Sequence, residues 1–239
     1  MKLQSLLLAS ALILSVSAHA LSAAEYDKYT DILMPTYLEE FAQAVNYDQL
    51  SSDVAYKLST TEVDDRCVAL MDGKMISGDV GKVLSQIFLD NKEKLGNLVV
   101  GGSVKSKYCP RYGNMTEKEK SIVWVFILTA MSHFESSCNR TASATGPNGT
   151  AYGYYQLHRN HEQDYDGDKG MCQKGDAGKP VAASKCTLGM LDKQFENRKG
   201  ELFSSLSYWD VLRPSGASKK WSVIKRALMQ SSLCNPRSI

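Results

Sequence analysis

One carboxylate in this sequence stands where a long apolar segment meets a polar one. Glu135 follows the apolar run 122–131 and opens a stretch, 135–187, that is rich in Gly, Asn, Asp and Ser. A helix that is apolar on all sides is usually buried, so we expect this carboxyl group to leave the core at the end of a buried helix. Burial and the partial negative charge of a helix C-terminus both disfavour the ionised form. The sequence therefore predicts a raised pKa for Glu135 and a group that can donate a proton near neutral pH.

Two short motifs follow in this polar stretch. The first is Glu-Ser-Ser-Cys-Asn at 135–139 with Ala-Ser at 142–143, and the second is Thr-Ala-Tyr-Gly-Tyr-Tyr-Gln-Leu at 150–157. Together they resemble the lysozyme-like superfamily of soluble lytic transglycosylases and goose-type lysozymes. In that family a Glu-Ser pair stands near the end of the catalytic helix, and a Gly-Ala-x-Gly-x-x-Gln-Leu segment comes later. Either motif alone is a weak signal, whereas the two together are fairly specific.

The resemblance implies a reaction and a set of substrate contacts. The reaction is cleavage of the β-1,4 bond between the amino sugars of peptidoglycan, in which Glu135 protonates the leaving oxygen and later acts as a base. Gly153 would let the backbone approach a sugar closely. The implied substrate-binding residues are Gln156 beside the acid, Tyr154 or Tyr155 stacked on a sugar ring, and Ser143 and Tyr208.

The sequence departs from the family pattern in two respects. Glu135 and Gln156 are 21 positions apart, which is longer than the family spacing because the turn at 144–149 carries an insertion. No Tyr-Asn-x-Gly segment, which many transglycosylases place over the acid, occurs downstream. Tyr208-Trp209 is a candidate for the missing aromatic wall, and a buried aromatic pair is the alternative interpretation.

The group that captures the sugar cation is left open. In a transglycosylase the 6-hydroxyl of the sugar attacks, whereas in a lysozyme water attacks, usually with the help of a second carboxylate. The spacing does not choose among the candidates for that carboxylate, which are Glu162, Asp164, Asp166, Asp168 and Asp210.

The acidic segment 161–168 allows further interpretations. Lysozymes of predatory bacteria that are specific for deacetylated peptidoglycan look similar in this region, and exposed carboxylates would attract their cationic glucosamine units. The Asp residues of 164–168 also match the start of an EF-hand loop, but Lys169 and Gly175 stand where that loop needs Gly and Glu. His158 and His161 form an HxxH pair without a third ligand. We therefore expect no metal site and no cofactor.

The elements that must position these groups are mainly helical. Thr116 and Glu119 fit a capping box ahead of the apolar run. Apolar residues at helical spacing predict further helices near 35–45, 63–71, 80–88, 188–195 and 221–228, the third of them capped by Asp79 and stopped by Gly96. A short hairpin would fit the turn signals near Pro147. The expected fold class is mainly α and lysozyme-like, with a small or absent hairpin, and stabilised by disulfides.

The N-terminus and the cysteines indicate export. Lys2, an apolar stretch at 6–16 and Ala18-His19-Ala20 are typical of a signal peptide, 1–20. We expect an N-terminal helical region at 21–112 and a lysozyme-like catalytic domain at 113–239. The six Cys residues favour disulfides in an oxidising compartment, with Cys172 and Cys186 as a local pair. The expected location is secreted or periplasmic.

The charge balance limits the classes of partner. A formal charge of +2 is far below what nucleic-acid binding requires, and no segment after the signal is long and apolar enough to suggest stable membrane insertion. The expected partner is the glycan strand of peptidoglycan, bound by a monomer. The alternative function is that of a secreted protein without catalysis, which binds glycans or inhibits lysozymes.

Overall fold

The computed structural model describes residues 67, 69–71, 78–146, 149–231 and 233–234. The predicted signal peptide and the helix predicted near 35–45 lie outside these residues, and the short helix predicted near 63–71 lies largely outside them. No described helix combines the length and the apolar character that a membrane span requires.

The described part of the chain is mainly helical, as the sequence predicts. Its helices and strands, in chain order, are α1 (Asp79–Asp90), α2 (Gly96–Val100), α3 (Glu117–Ser136), β1 (Ser143–Gly146), β2 (Gly149–Tyr152), β3 (Leu157–His158), α4 (Pro180–Asn197) and α5 (Trp221–Gln230). A π-helical turn at Val104–Tyr108 and 3-10 turns at Pro110–Asn114, Glu162–Asp164, Asp176–Gly178 and Asp210–Leu212 connect them.

Helix α3 runs through the middle of the core. The capping box is present, since the Thr116 side chain accepts the Glu119 amide and the Glu119 carboxylate accepts the Thr116 amide. Every residue from Ser121 to Ser132 is buried, so the helix is surrounded by protein on all sides, as expected from its apolar run.

Trp124 of α3 joins several of the surrounding elements. Its ring packs edge-on against Phe195 of α4, with the ring centroids 5.5 Å apart. Its indole N–H donates to the Tyr112 hydroxyl at 2.8 Å, and that hydroxyl donates to the Leu98 carbonyl at 2.6 Å. Both polar groups of this aromatic pair are therefore satisfied inside the core.

The predicted boundaries of α1 were wrong in detail. The helix begins with Gly78 as its N-cap, so Asp79 is its first residue, and it ends at Asp90. Asn91 ends it, because both its backbone amide and its side-chain amide donate to the Ile87 carbonyl. The helix is therefore ended by Asn91, whereas the sequence predicted that Gly96 would end it. Gly96 instead begins α2.

The polar stretch contains a small antiparallel sheet in the order β1-β2-β3. Strands β1 and β2 form the expected hairpin, with Ser143 opposite Tyr152 and Gly146 opposite Gly149. Strand β3 adds to β2 through the pair Tyr152 and Leu157. Residues 153–156, between β2 and β3, therefore form a tight loop.

Three disulfides connect the described residues: Cys67–Cys138, Cys109–Cys234 and Cys172–Cys186. The last is the pair that the sequence predicts. The other two join residues on either side of position 112, and the domain division proposed there stays a prediction.

Candidate active site

The C-terminal end of α3 is held in a fixed and unusual backbone conformation. Ser137 and Cys138 both adopt the left-handed region, with φ of 51° and 53°, which is uncommon for residues other than Gly. Their amides donate to the His133 and Ser132 carbonyls and so close the helix. The disulfide from Cys138 to Cys67 fixes the same point from outside. Glu135, in the last turn of this helix, is therefore firmly positioned.

The pKa of Glu135 is raised to about 7. The main cause is the partial burial of the side chain, and the second is the negative charge of Asp210. A hydrogen bond from the Val211 backbone amide and the positive charge of Arg213 act in the opposite direction. The direction agrees with the expectation from sequence, although a neighbouring carboxylate, which the sequence did not identify, contributes to it.

Asp210 lies in the 3-10 turn Asp210–Leu212, which packs against α3. Its two carboxylate oxygens accept the backbone amides of Ala217 and Ser218 at 3.2 and 2.9 Å. Hydrogen bonds from Ser218 are the main reason that the pKa of this carboxyl group is lowered. A Cβ on Gly216 would lie 2.6 Å from an Asp210 carboxylate oxygen, so a glycine is needed for this turn to close.

The two carboxyl groups are therefore held in different protonation states. Glu135 is largely protonated at pH values below its raised pKa of about 7, while Asp210 is ionised. Pairs of titratable groups with pKa values pushed apart by their surroundings are typical of acid and base assignments in enzymes. The arrangement can supply a proton from one side chain and a negative charge from the other.

The other four candidate carboxylates have different surroundings. Glu162 is fully buried and accepts the amides of Gly175 and Ala177. Asp166 is also buried and accepts the amides of Met171 and Cys172, so both shape loops.

Asp164 and Asp168 are exposed, and Asp164 lies 3.0 Å from a ring nitrogen of His161. Neither is among the charges that shift the pKa of Glu135, whereas Asp210 is.

The loop 153–156 is tied to the end of α3. The Ser136 hydroxyl lies 2.9 Å from the Tyr154 carbonyl, which it can reach as a donor. Gly153 has a φ of 75°, and a Cβ there would lie 2.1 Å from the Ala177 carbonyl oxygen. Only glycine therefore fits at this crossing. The reason lies in a close approach of two backbone segments, whereas the resemblance assigned Gly153 to contact with the sugar.

Gln156 lies in the same loop and holds it together. Its side-chain NH₂ donates to the carbonyls of Ala142 and Gly153, at 3.2 and 2.9 Å. The structure thus gives Gln156 a role in shaping the loop, while its contact with substrate stays a prediction.

The two tyrosines predicted to stack on sugar are buried. Tyr155 is fully buried, its hydroxyl lies 3.0 Å from Ser184 Oγ, and its carbonyl accepts the indole N–H of Trp209. A ring without an exposed face cannot stack on a sugar, so Tyr155 is a core residue. Tyr154 is only 5% exposed and offers little more. Of the pair Tyr208-Trp209, Trp209 is likewise buried.

Tyr208 is the aromatic residue that the structure brings close to the acid. The charge of Glu135 is one of several contributions, after burial, that raise the pKa of its phenol. Its hydroxyl accepts the His158 amide at 2.9 Å and donates to the Gln156 carbonyl at 3.2 Å. The Tyr165 ring, which is 36% exposed, packs edge-on against it with the centroids 4.9 Å apart. Tyr165 therefore extends the aromatic contact of Tyr208 towards solvent, a position that the sequence did not indicate.

The remaining two residues are Ser143, which the sequence predicted, and Arg213, which it did not. Ser143 is exposed at the start of β1, opposite Tyr152. Arg213 was not predicted, and its guanidinium donates to the carbonyls of Ser207 and Tyr208. It thereby fixes the segment that carries Tyr208, and its charge acts on Glu135. No sequence pattern marks this arginine.

No group of three or more metal-ligating side chains occurs among the residues that the structure describes. The two members of the HxxH pair have different partners. His158 Nδ1 lies 2.9 Å from the Tyr165 hydroxyl, and His161 Nδ1 contacts Asp164.

Comparisons with known proteins support the fold. No protein-family model matches the sequence, and a comparison with curated protein sequences finds no significant match. The structure is similar to solved structures of Bd0314 DslA, a lysozyme-like protein of Bdellovibrio. The wild-type form matches with a TM-score of 0.54 at 24% identity, over 65% of this chain and 92% of that chain. Two glutamate-to-glutamine variants of DslA match with TM-scores of 0.54 and 0.52, at 22% and 24% identity and the same coverage. The chain therefore has a mainly α, disulfide-stabilised, lysozyme-like fold.

Proposed function

We propose that this protein cleaves the glycan strands of peptidoglycan at the β-1,4 bonds between amino sugars. The observation that carries the proposal is the position of Glu135, which stands at the end of a buried helix with a pKa of about 7. In this state it can protonate the glycosidic oxygen of the leaving sugar and then, as a carboxylate, act as a base. The lysozyme-like fold supports this assignment.

Asp210 is our candidate for the second carboxylate. Being ionised close to the acid, it would stabilise the positive charge that develops on the sugar or orient a water molecule for attack. This favours hydrolysis over the lyase reaction, in which the 6-hydroxyl of the sugar attacks and one carboxylate suffices. Tyr208 and Gln156 would line the same cleft.

The proposed location is the periplasm or the exterior of the cell. Three disulfides connect described residues, and disulfides persist mainly in oxidising compartments. The substrate is also found there.

Product analysis tests the proposed reaction. Purified sacculi are incubated with the protein, and the released fragments are identified by mass spectrometry. We expect muropeptides with reducing ends. Anhydro ends would contradict the role of Asp210 and indicate a lyase, while a protein that binds sacculi but releases no fragments would contradict the enzymatic function and favour the non-catalytic alternative.

We further propose that the enzyme prefers strands whose glucosamine units lack acetyl groups. Asp164 and Asp168 are exposed on the segment that carries Tyr165, whose ring packs against Tyr208 near Glu135. Carboxylates in this position would attract the free amino group, which is cationic. Acetylated and deacetylated sacculi are digested side by side, and faster release from acetylated sacculi would contradict the preference.

A further inference from the structure

A basic segment without acidic residues follows the site. From Arg213 to Arg226 the chain carries five basic residues, and no Asp or Glu occurs after Asp210. The formal charge of the whole chain is only +2, so positive charge is concentrated in this part of it. A local excess of one sign of charge raises the concentration of oppositely charged ligands near the surface.

Three of these five basic residues have described contacts: Arg213, Lys225 and Lys220, whose ammonium lies over the Phe134 ring. The Arg213 guanidinium donates to two backbone carbonyls. The Lys225 ammonium lies over the rings of Tyr108 and Trp221, 5.8 and 5.6 Å from their centroids.

Lys219 and Lys220, which we call the lysine pair, are exposed. Within the described part of the chain, neither forms an ion pair with a carboxylate.

The lysine pair directly follows Ser218, which contacts Asp210, and Lys220 lies near the end of α3 that carries Glu135. The Lys220 ammonium is 5.1 Å from the centroid of the Phe134 ring, and Phe134 directly precedes Glu135. The residue before the pair, Ser218, donates its amide to Asp210. Lys219 has a φ of 55°, which is uncommon for residues other than Gly. The turn that presents the pair is thus fixed against the site.

The pair is not part of the machinery that sets the protonation of the acid. The charges identified as acting on Glu135 are those of Asp210 and Arg213. The carboxylate of Asp210 itself accepts hydrogen bonds from two backbone amides. A change at Lys219 and Lys220 should therefore alter binding without moving the pH dependence of the reaction.

We propose that the lysine pair binds carboxylates that the glycan strand carries beside the bond to be cleaved. This inference rests on the proposed function. In peptidoglycan every second sugar bears a lactyl group whose carboxyl is joined to a peptide stem by an amide bond. The free carboxylates of these stems recur along the strand. Ammonium groups form charge-assisted hydrogen bonds with carboxylates, and a pair near this end of α3 would hold a stem while the strand lies in the cleft.

Binding to insoluble wall material tests this inference without turnover. In the inactive Glu135→Gln background, Lys219 and Lys220 are both changed to Gln, and binding to sacculi is measured by co-sedimentation. We expect the apparent Kd for sacculi to rise about fivefold at low salt, as for the loss of exposed ion pairs. Added salt should reduce this difference, because it screens the ion pairs in the parent protein. Binding to chitin, which has no carboxylates, should differ little between the two proteins.

Arg198 and Lys199 provide a matched control. They are an adjacent, exposed basic pair just after the C-terminal end of α4. The N-terminal end of α4 packs against the turn Asp176–Gly178, which contacts Gly153. The 18 residues of α4 place the control pair roughly 27 Å along the helix from that turn. Changing both to Gln removes the same charge and should leave binding to sacculi unchanged.

The outcomes separate this inference from the proposed function. If the lysine-pair variant and the control bind sacculi equally well, or if binding to chitin falls as much as binding to sacculi, the inference is overturned. If the protein carrying Glu135 releases no wall fragments while binding to sacculi still depends on the lysine pair, the enzymatic function fails and the binding site stands.

Discussion

Two carboxyl groups with different protonation states define the site at the scale of single residues. Burial and a like charge keep the proton on Glu135 up to about pH 7, whereas backbone amides keep Asp210 ionised. The surroundings of the two groups account for the difference, since the two carboxyls have similar intrinsic acidity. In lysozyme, too, the surroundings of two carboxyl groups keep one protonated and the other ionised.

The alkaline limb of the pH profile should depend on both Glu135 and Asp210. Because the acid must be protonated, kcat/KM should fall as the pH rises through about 7. In Asp210→Asn the like charge is absent, so the pKa of Glu135 should be lower and this alkaline limb should move to lower pH. Activity is measured on soluble muropeptide oligomers across the pH range. An alkaline limb that stays in place in the variant would show that Asp210 does not act on the acid.

Replacing the acid should also stabilise the protein in a pH-dependent way. The pKa of Glu135 is about 7 in the folded chain against an ordinary value of 4.5, so its ionisation destabilises the fold as the pH rises through this window. Gln is neutral throughout. We expect Glu135→Gln to increase the free energy of unfolding by up to about 3 kcal/mol at alkaline pH and by almost nothing below the ordinary pKa. Urea unfolding at the two pH values measures this, and an equal effect at both would contradict the account.

Sequence reasoning marked Glu135 as the candidate acid and named candidates around it, but it did not choose among the carboxylates. The end of an apolar run marks Glu135, because burial of a helix follows from its own composition. Asp210 was one of five carboxylates, and its selection depends on a long-range contact between the turn at Asp210–Leu212 and α3, which no local pattern records. Tyr155 was misassigned because aromatic residues suit both a core and a sugar-binding surface.

At the scale of elements, the end of α3 and the loop 153–156 form one unit. Ser136 connects them through the Tyr154 carbonyl, and Gln156 closes the loop on itself. Tyr208 then joins the loop from the other side by donating to the Gln156 carbonyl. The position of Glu135 relative to Tyr208 therefore depends on these few hydrogen bonds.

Ser136→Ala should loosen this unit. We expect kcat to fall about tenfold, because small displacements of a catalytic group are costly, with a loss of unfolding free energy of only about 1 kcal/mol. Ser106→Ala is the matched control, since the Ser106 hydroxyl donates to a carbonyl four residues earlier, as Ser136 does, but forms no second hydrogen bond with the described residues. Equal losses of kcat in both variants would contradict the coupling role of Ser136.

The elements themselves were largely predictable, but the connections between them were not. The capping box at Thr116 and the apolar spacing of α4 and α5 are local signals, and the structure confirms them. The left-handed residues Ser137 and Cys138 are imposed by a disulfide and by helix closure. Neither residue type favours that conformation, so sequence alone gave no indication of it.

At the scale of the whole molecule, disulfides connect distant parts of the chain to the site. Cys67–Cys138 reaches the end of α3, and Cys109–Cys234 spans 125 positions. The sequence predicted only the local pair Cys172–Cys186, whose members are 14 positions apart. Pairing between distant cysteines depends on the fold, and six cysteines allow many combinations.

The disulfides Cys109–Cys234 and Cys172–Cys186 should differ in their effect on stability. In the chain-entropy view, loss of the bond that closes the long loop costs about 5 kcal/mol and loss of the bond that closes the short loop about 3 kcal/mol. We therefore expect Cys109→Ser/Cys234→Ser to lower the free energy of unfolding more than Cys172→Ser/Cys186→Ser does. Urea denaturation of both double variants tests this, and the reverse order would contradict it.

The most direct test of the central claim is the rate at which Glu135→Gln cleaves glycan strands. Gln has nearly the same shape as Glu but has no acidic proton that it could transfer to the glycosidic oxygen. Release of fragments from sacculi by the variant is compared with that by the unmodified protein near pH 6, after unfolding experiments have shown that the variant is folded. We predict a loss of at least about a thousandfold; a folded variant that releases fragments at the rate of the unmodified protein would contradict the assignment of Glu135 as the catalytic acid.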